Sequence, residues 1–400
     1  MRIGMILDNE FTGDLRVENE VLSLTQKGYK VFVLCFNYGE KANIENFYGA
    51  KIVRFHLSKN IKNKLRFFNN TIFDIYSHIW SYQIRKFIKN YNITVLHAHD
   101  LYMAKSVILA NRKYYLETVL DLHENYPATL ATYSWTKTFL GRILVNPQRW
   151  VDKEKRYFPK FSKIILLSED FKKILTNKYP MLESKFYVYP NYPNTENLLS
   201  YEINHRILDK GNDFIIFYFG GIAERRGIFT LLESLRLLLA KSSVYKVLLI
   251  GPVDKADEVK LKAYLEDPGL RDNIIYYPWK DISLLPSFIA ISDVCISPIF
   301  KNDQHESGIA NKVFQYMLFE KAIIVSNCKP QQQIIEDEKC GFVFESENHA
   351  DLADKIETLY KDSDLSHEMG IRGKIAVLNK YNLNCSNKEL TNLYNSLKHY

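Results

Sequence analysis

The sequence predicts an α/β protein made of two Rossmann-like domains whose parallel sheets face each other across a cleft, and three observations lead there. Short runs rich in Val and Ile alternate with stretches of helical period: RIGMIL (2–7), KVFVLCF (30–36), ITVLHAH (93–99), TVLDLHE (118–124) and KIILLSE (163–169) in the first half. The second half adds FIIFYFGG (214–221), YKVLLIGP (245–252), NIIYYP (273–278), DVCISPI (293–299) and AIIVSN (322–327). Strands apolar on both faces and separated by helices belong to a parallel sheet covered on both sides. The alternation halts once, at 189–212, where YPNYPNTENLLSYEINHRILDKGN has two prolines, many asparagines and no sustained period, as an interdomain connection would. Finally, 400 residues exceed one ordinary core. The expected domains are 1–195 and 205–379, with a last helix over 380–400.

The elements support this in order. MRIGMILDNEFTGD carries one basic residue and about five apolar ones before Asp8, short of a signal peptide's apolar core, so it is expected as the first strand. In RVENEVLSLTQKGYKV, Val17, Val21 and Leu24 share a helical face, and Gly28 stands where that helix stops before the next strand. The end of the chain repeats Leu390, Leu393 and Leu397 at helical spacing.

Composition excludes several classes. With 46% hydrophobic and 25% charged residues the chain is a folding one, and no run reaches the roughly 18 apolar residues of a membrane span. Five cysteines without a CxxC indicate free thiols in a reducing cytoplasm. A net charge of +7 is modest for this length and does not indicate nucleic acid as a partner. Its distribution is uneven: residues 51–90 hold nine Lys or Arg against Asp74 alone, and a second basic, aromatic stretch follows Trp135. Segments 59–68 and 137–156, with Lys62, Lys64, Arg66, Phe67, Phe68, Arg142, Arg149, Lys155 and Arg156, read either as an anionic membrane contact or as solvated helix faces.

After the first strand stands DNEFTGDLRVENE, with Gly13 but no G-x-G-x-x-G, which argues against a nicotinamide enzyme. The second half opens differently. Gly220 and Gly221 follow a strand directly, and Arg225 and Arg226 precede a helix expected near Gly227, so peptide, guanidinium and helix N-terminus would hold a diphosphate. HESGIANKVFQYMLFEKAIIVSN (305–327) places a loop, a helix expected from about Ile309 and a buried strand in succession. Glu306 and Ser307 at the loop, the amides of Gly308, Ile309 and Asn311, and Gln315 two turns on suit a nucleoside diphosphate sugar.

In this order these segments resemble the retaining GT-B glycosyltransferases of the fourth family, which includes capsule, lipopolysaccharide and exopolysaccharide enzymes, over nearly the whole chain. TGDLRVENEVLSLTQKGYKVFVLC resembles the family's opening, VLHAHD, LDLHENYP and IILLSED its amino-domain strand ends, YPNYPN its hinge, FGGIAERRGI its phosphate loop and ANKVFQYMLFEKAIIVSN its donor helix. The resemblance implies an acceptor-binding first domain, a donor-binding second domain and a last helix crossing back to the first. It implies that Arg226, where the family usually has Lys, neutralises the diphosphate beside Arg225, and that Lys312 belongs to the donor helix. Gly220 and Gly221 admit the phosphates, although many members have Arg at the second position. Trp279 and Lys280 would border the base, a place in the core being the equal alternative for Trp279. His123 matches the family histidine near the transferred sugar, with His99 a second candidate; Gly13, Asp14, Arg16 and Glu124 would line the acceptor side. The family's two glutamates eight positions apart are here Ser307 and Gln315, so Glu306 is expected to take over the sugar contact.

The implied reaction is hexosyl transfer from UDP- or GDP-sugar to a hydroxyl of a glycan or polyprenyl-linked acceptor, with retention, at the inner face of the cell membrane. No D-x-D stands at a strand end to hold a divalent ion, so no metal or other cofactor is expected. A nucleotide-sugar 2-epimerase of the same fold and a non-catalytic sugar-nucleotide-binding module are the rival readings.

Overall fold

The computed structural model describes residues 1–39, 41–67, 74–133, 136 and 146–397. Contacts divide the chain into two units, Met1–Asn191 with Ser386–Tyr400, and Tyr192–Cys385. The chain thus changes unit at 191/192, inside the 189–212 stretch where the alternation halts.

In the first unit the strands are β1 (Arg2–Ile6), β2 (Lys30–Asn37), β3 (Ile44–Phe47), β4 (Ala50–His56), β5 (Val95–His99), β6 (Glu117–Asp121), β7 (Lys163–Leu166) and β8 (Phe186–Val188). They are ordered β3-β4-β2-β1-β5-β6-β7-β8, and only β3 runs antiparallel to its neighbour. The second unit holds β9 (Phe214–Phe219), β10 (Tyr245–Ile250), β11 (Ile274–Tyr277), β12 (Val294–Ser297), β13 (Ala322–Ser326) and β14 (Gly341–Phe344). Their order is β11-β10-β9-β12-β13-β14, parallel throughout. Chain order reverses between β1 and β5 and between β9 and β12. Open α/β sheets bind ligands beyond the strand carboxy ends at such switch points.

Helix α1 (Leu15–Gln26) starts where the Asp14 side chain accepts from the Val17 amide, and Glu18 reaches back to the Gly13 amide at 2.7 Å. Its buried Val17, Val21 and Leu24 pack in one cluster with Ile3 and Met5 of β1 and with Leu390, Leu393, Tyr394 and Leu397 near the chain's end. Each fully buried leucine contributes about 1.5–3 kcal/mol, so the stretch from Leu390 to Leu397 is held firmly by the first unit.

The basic stretch behaves differently from a uniform surface. Residues 50–56 form β4, where Arg54 is buried and pairs with Glu45 at 2.7 Å. On α2 (Lys59–Phe67), Lys62 donates to the Asp8 carbonyl at 3.3 Å, and Arg66 pairs with the Asp8 carboxylate at 3.2 Å while its guanidinium lies over Tyr102. These two cations therefore turn inward, a correction to their expected place on a lipid-facing surface. Lys59, Lys64, Arg149, Lys155 and Arg156 are exposed. The Phe67 side chain, Phe68 and Arg142 lie outside the described residues. Among the described residues no helix is long and apolar enough to cross a membrane.

All five cysteines are free, with Cys35, Cys295, Cys328 and Cys340 buried and Cys385 half-buried. Burial pushes the Cys35 thiol up to about 12, so it is inert at neutral pH.

Candidate functional site

At the switch point of the first sheet, β5 ends in His97 and His99 and β6 ends in Asp121, with His123 two residues on. A buried carboxylate needs compensation, and Asp121 has it on both oxygens. Arg16, from the first turn of α1, donates to it from Nε at 2.9 Å and from Nη2 at 2.6 Å, and His123 Nε2 lies 2.9 Å from Oδ2. Arg16 also donates to the Tyr189 carbonyl and lies 3.3 Å from Glu20. The predicted "acceptor-lining" Arg16 is thus only 5% exposed, and its charge acts on Asp121.

The histidines form a row. His97 and His99 stack with centroids 4.4 Å apart, His99 Nδ1 is 3.1 Å from His123 Nε2, and His97 Nδ1 is 2.7 Å from the hydroxyl of Tyr394. Burial works against a charge on His123, but Asp100 and Asp121 outweigh it and push its pKa up to about 10. His97 and His99 shift the other way, chiefly through burial, and stay neutral. Burial also raises Glu20, reinforced by Asp121, whereas Arg16 and His123 overcome burial to hold Asp121 well below the usual carboxylate range.

Glu20, His97, His99 and Asp121 bring one ligand-type atom each within 4.8 Å of one another. Both Asp121 oxygens already accept from Arg16 and His123, and the guanidinium supplies there the positive charge that a metal ion would bring.

Beside this row opens a cavity of about 570 Å³, lined by Asn9, Glu10, Thr12, Gly13, Asp14, Leu15, Arg16, Tyr38, Lys59, His123 and Asn191. The structure thereby brings together the predicted Gly13, Asp14, Arg16 and His123. His99 lies fully buried behind His123, and Glu124, with its pKa raised by burial and by Asp100, is not part of the lining. Asp121, Glu20, His97 and Tyr394 escaped the sequence reading. The signal available was a charged residue inside the apolar run TVLDL and a histidine inside VLHAH.

In the second unit the switch point lies between β9 and β12. Gly220 has φ +131°, and a Cβ there would come within 2.9 Å of Lys312 Nζ. Gly227 (φ +73°) caps α3 (Ile228–Leu239), and a Cβ would sit 1.7 Å from the Pro298 carbonyl oxygen; only glycine permits this approach of the β9 turn to the end of β12. The Phe300 amide then donates to the Arg225 carbonyl at 3.0 Å. Helix α4 (Asn311–Leu318) docks on the end of β9 through the Tyr316 hydroxyl, which accepts from the Phe219 amide at 2.9 Å.

This arrangement gathers positive charge. Lys312 is buried, its ammonium 3.6 Å from the centroid of the Tyr218 ring, and burial together with Arg226 pushes its pKa well down. Among the described residues no carboxylate pairs with Lys312 or Arg226. Arg225 instead pairs with Asp254. Glycine backbone, a guanidinium and a buried lysine whose charged form lacks a counter-ion make a site that an arriving anion would complete.

The remaining predicted residues divide. Gln315 is buried one turn beyond Lys312 and Asn311, while the exposed Gly221 accepts from the Tyr218 hydroxyl through its carbonyl. Trp279 is 68% exposed, which excludes a core role, and Lys280 lies over the Tyr277 ring. The helix begins at Asn311, not near Ile309: Gly308 and Ala310 are extended, so Gly308 and Ile309 belong to the loop. Ser307 is buried and donates to the Asp303 carbonyl at 2.7 Å. Glu306 accepts through Oε1 from the Lys329 amide at 3.0 Å, at the start of α5 (Lys329–Glu338). His305, which carries no expected role, is buried against Phe300 and Asn302.

Two doubly wound parallel sheets, each with a polar site at its switch point, define the GT-B class of architecture. Residues 16–197 match the family described as Glycosyltransferase Family 4, and residues 200–375 match Glycosyl transferases group 1. The chain belongs to this glycosyltransferase family. It is similar to the capsular polysaccharide biosynthesis glycosyltransferase CapM of Staphylococcus aureus, with 27% identity over 192 residues, 48% of either chain. It is also similar to the poly(ribitol-phosphate) alpha-N-acetylglucosaminyltransferase of Staphylococcus aureus strain COL, with 23% identity over 46% of this chain and 35% of that protein. The chain therefore spans about half the length, or less, of these curated relatives. Its fold is that of sucrose-phosphate synthase from Thermosynechococcus elongatus (TM-score 0.76, 14% identity, 99% and 98% of the two chains). It is equally that of Anabaena HepE in complex with UDP and glucose (TM-score 0.73, 14% identity, 99% and 100%).

Proposed function

We propose that this chain transfers a hexosyl group from a nucleoside diphosphate sugar to a hydroxyl of a glycan during polysaccharide assembly, with retention of configuration. The observation that carries the reading is the cationic cradle at the β9 switch point, where Lys312 and Arg226 flank the Gly220 backbone without a carboxylate to neutralise them. Its chemistry suits a diphosphate, and HepE, similar in fold, is a protein seen with UDP and glucose.

As the glycosidic bond to the diphosphate breaks, negative charge grows on the leaving oxygen. Arg226 and Lys312 stabilise it, and the diphosphate itself takes the acceptor's proton, so no carboxylate base is needed. No metal or other cofactor enters this scheme because the side chains supply the positive charge. The polar cavity of the first unit, with Asn9, Glu10, Thr12 and Asp14 as hydroxyl partners, is assigned to the acceptor, and His123 as a cation beside it. The acceptor is taken to be polyprenyl-linked, with the exposed Lys59, Lys64, Arg149, Lys155 and Arg156 meeting anionic headgroups at the inner membrane face.

The test is turnover of UDP- and GDP-sugars with lipid-linked glycan acceptors, with EDTA present. Arg226→Ala should lower it by about 10²–10³-fold, the scale of losing one transition-state charge partner, with an unchanged melting temperature. Near-normal turnover in that variant refutes the assignment. Release of an epimer from donor alone refutes the transfer.

A further inference from the structure

The loop 300–307 carries a buried histidine, His305, that none of the roles above uses. His305 is 5% exposed, and its Nδ1 lies 2.7 Å from the Phe300 carbonyl oxygen. Nδ1 also lies 3.2 Å from Asn302 Nδ2, but the Phe300 carbonyl is the shorter contact and an oxygen that only accepts, so Nδ1 carries the hydrogen and Nε2 presents a lone pair. That Nε2 is buried and meets no hydrogen-bond partner. Nor does the ring become charged to satisfy it: burial, and the positive charges of Arg226, Arg225 and Lys312 around it, push its pKa down to about 4.

A buried lone pair among the cations of the diphosphate cradle selects its partner by chemistry. Phosphate oxygens have no hydrogen to give, so the diphosphate itself is no partner for a neutral Nε2. A hydroxyl does have one. Of its neighbours, Ser307 donates to the Asp303 carbonyl and Glu306 Oε1 accepts from the Lys329 amide, whereas His305 Nε2 has no partner. Resting on the donor-site reading above, we propose that His305 is the residue that reads the donor's sugar, its Nε2 accepting a hydrogen bond from a hydroxyl of the hexosyl group. The site then distinguishes a nucleotide sugar from the bare nucleotide by a neutral acceptor where Ser307 and Gln315 replace two carboxylates of the resembling family.

Calorimetric titration of the full chain with UDP, UDP-glucose, UDP-N-acetylglucosamine, GDP and GDP-mannose tests this. His305→Asn keeps an amide N–H where Nδ1 bonds Phe300 and deletes the acceptor at Nε2; His305→Gln restores an acceptor there. For the nucleotide sugar that binds, His305→Asn should weaken affinity about tenfold, the scale of one hydrogen bond, and leave UDP or GDP within about twofold. His305→Gln should recover most of the loss. Equal weakening of sugar-bearing and bare nucleotides, or no weakening in His305→Asn, overturns the proposal while leaving the donor site standing. Failure of the wild-type chain to bind any of the five sinks both.

Discussion

Replacing Asp121 by Asn tests the polar interior of the first unit most sharply. The carboxylate accepts two bonds from Arg16, at 2.9 and 2.6 Å, and one contact from His123 at 2.9 Å, in surroundings with no exposure. An amide of the same shape keeps the packing but leaves the guanidinium without its charge partner, with only Glu20 at 3.3 Å. Breaking a buried ion pair from one side costs about 3–5 kcal/mol. For a unit of about 200 residues, at ~2–4 °C per kcal/mol, the unfolding midpoint should fall by about 6–20 °C. The pH dependence should change as well. Because the pKa of His123 is raised to about 10, its stabilisation is complete below about pH 6.5 and is lost as pH rises through about 10. In the variant that decline between pH 7 and 10 should become shallower, since Asp100 remains beside the imidazole but the charged partner at Asp121 is gone. Thermal unfolding by circular dichroism from pH 6 to 10, with NMR titration of the histidine rings, measures both effects. A midpoint within 2 °C of wild type, or an unchanged slope above pH 7, would show that Asp121 does not govern the charge on His123.

Two further substitutions probe the second unit. Gly227→Ala forces a Cβ onto the Pro298 carbonyl at a positive φ, so nucleotide-induced thermal stabilisation should be lost and the apo midpoint lowered; full retention of both would contradict the close approach. Trp279→Ala removes an exposed ring and should change stability by less than about 0.5 kcal/mol. If the ring borders the base, nucleotide affinity falls by roughly 1–3 kcal/mol, and unchanged affinity removes it from the donor site.

Much of the architecture was legible because it rests on periodicity. Buried parallel strands show as apolar runs, and the packing face of α1 shows as Val17, Val21 and Leu24. What escaped was hidden by charge. β4 reads as a basic segment because Lys51 and Arg54 alternate with its apolar residues, and Lys62 and Arg66 read as surface cations although Asp8 draws them inward. The same limit applies to the sites. Gly220, Lys312 and Arg226 stand in recognisable turns and helix starts, whereas Asp121, Glu20 and Tyr394 meet only through tertiary packing. His305 was passed over because its role depends on which ring nitrogen the Phe300 carbonyl engages. The start of α4 was misplaced by two residues because Ala310 offers no side-chain cap to mark it.

The hydroxyl of Tyr394 against His97 has a consequence for biosynthesis. Residues 1–191 leave the ribosome long before residue 394 exists, and at about 5–20 residues per second the delay is on the order of 10–40 s. Throughout that interval the nascent amino-terminal sheet carries an uncovered flank, with His97 hydrated by water until Leu390, Leu393, Tyr394 and Leu397 arrive to cover it.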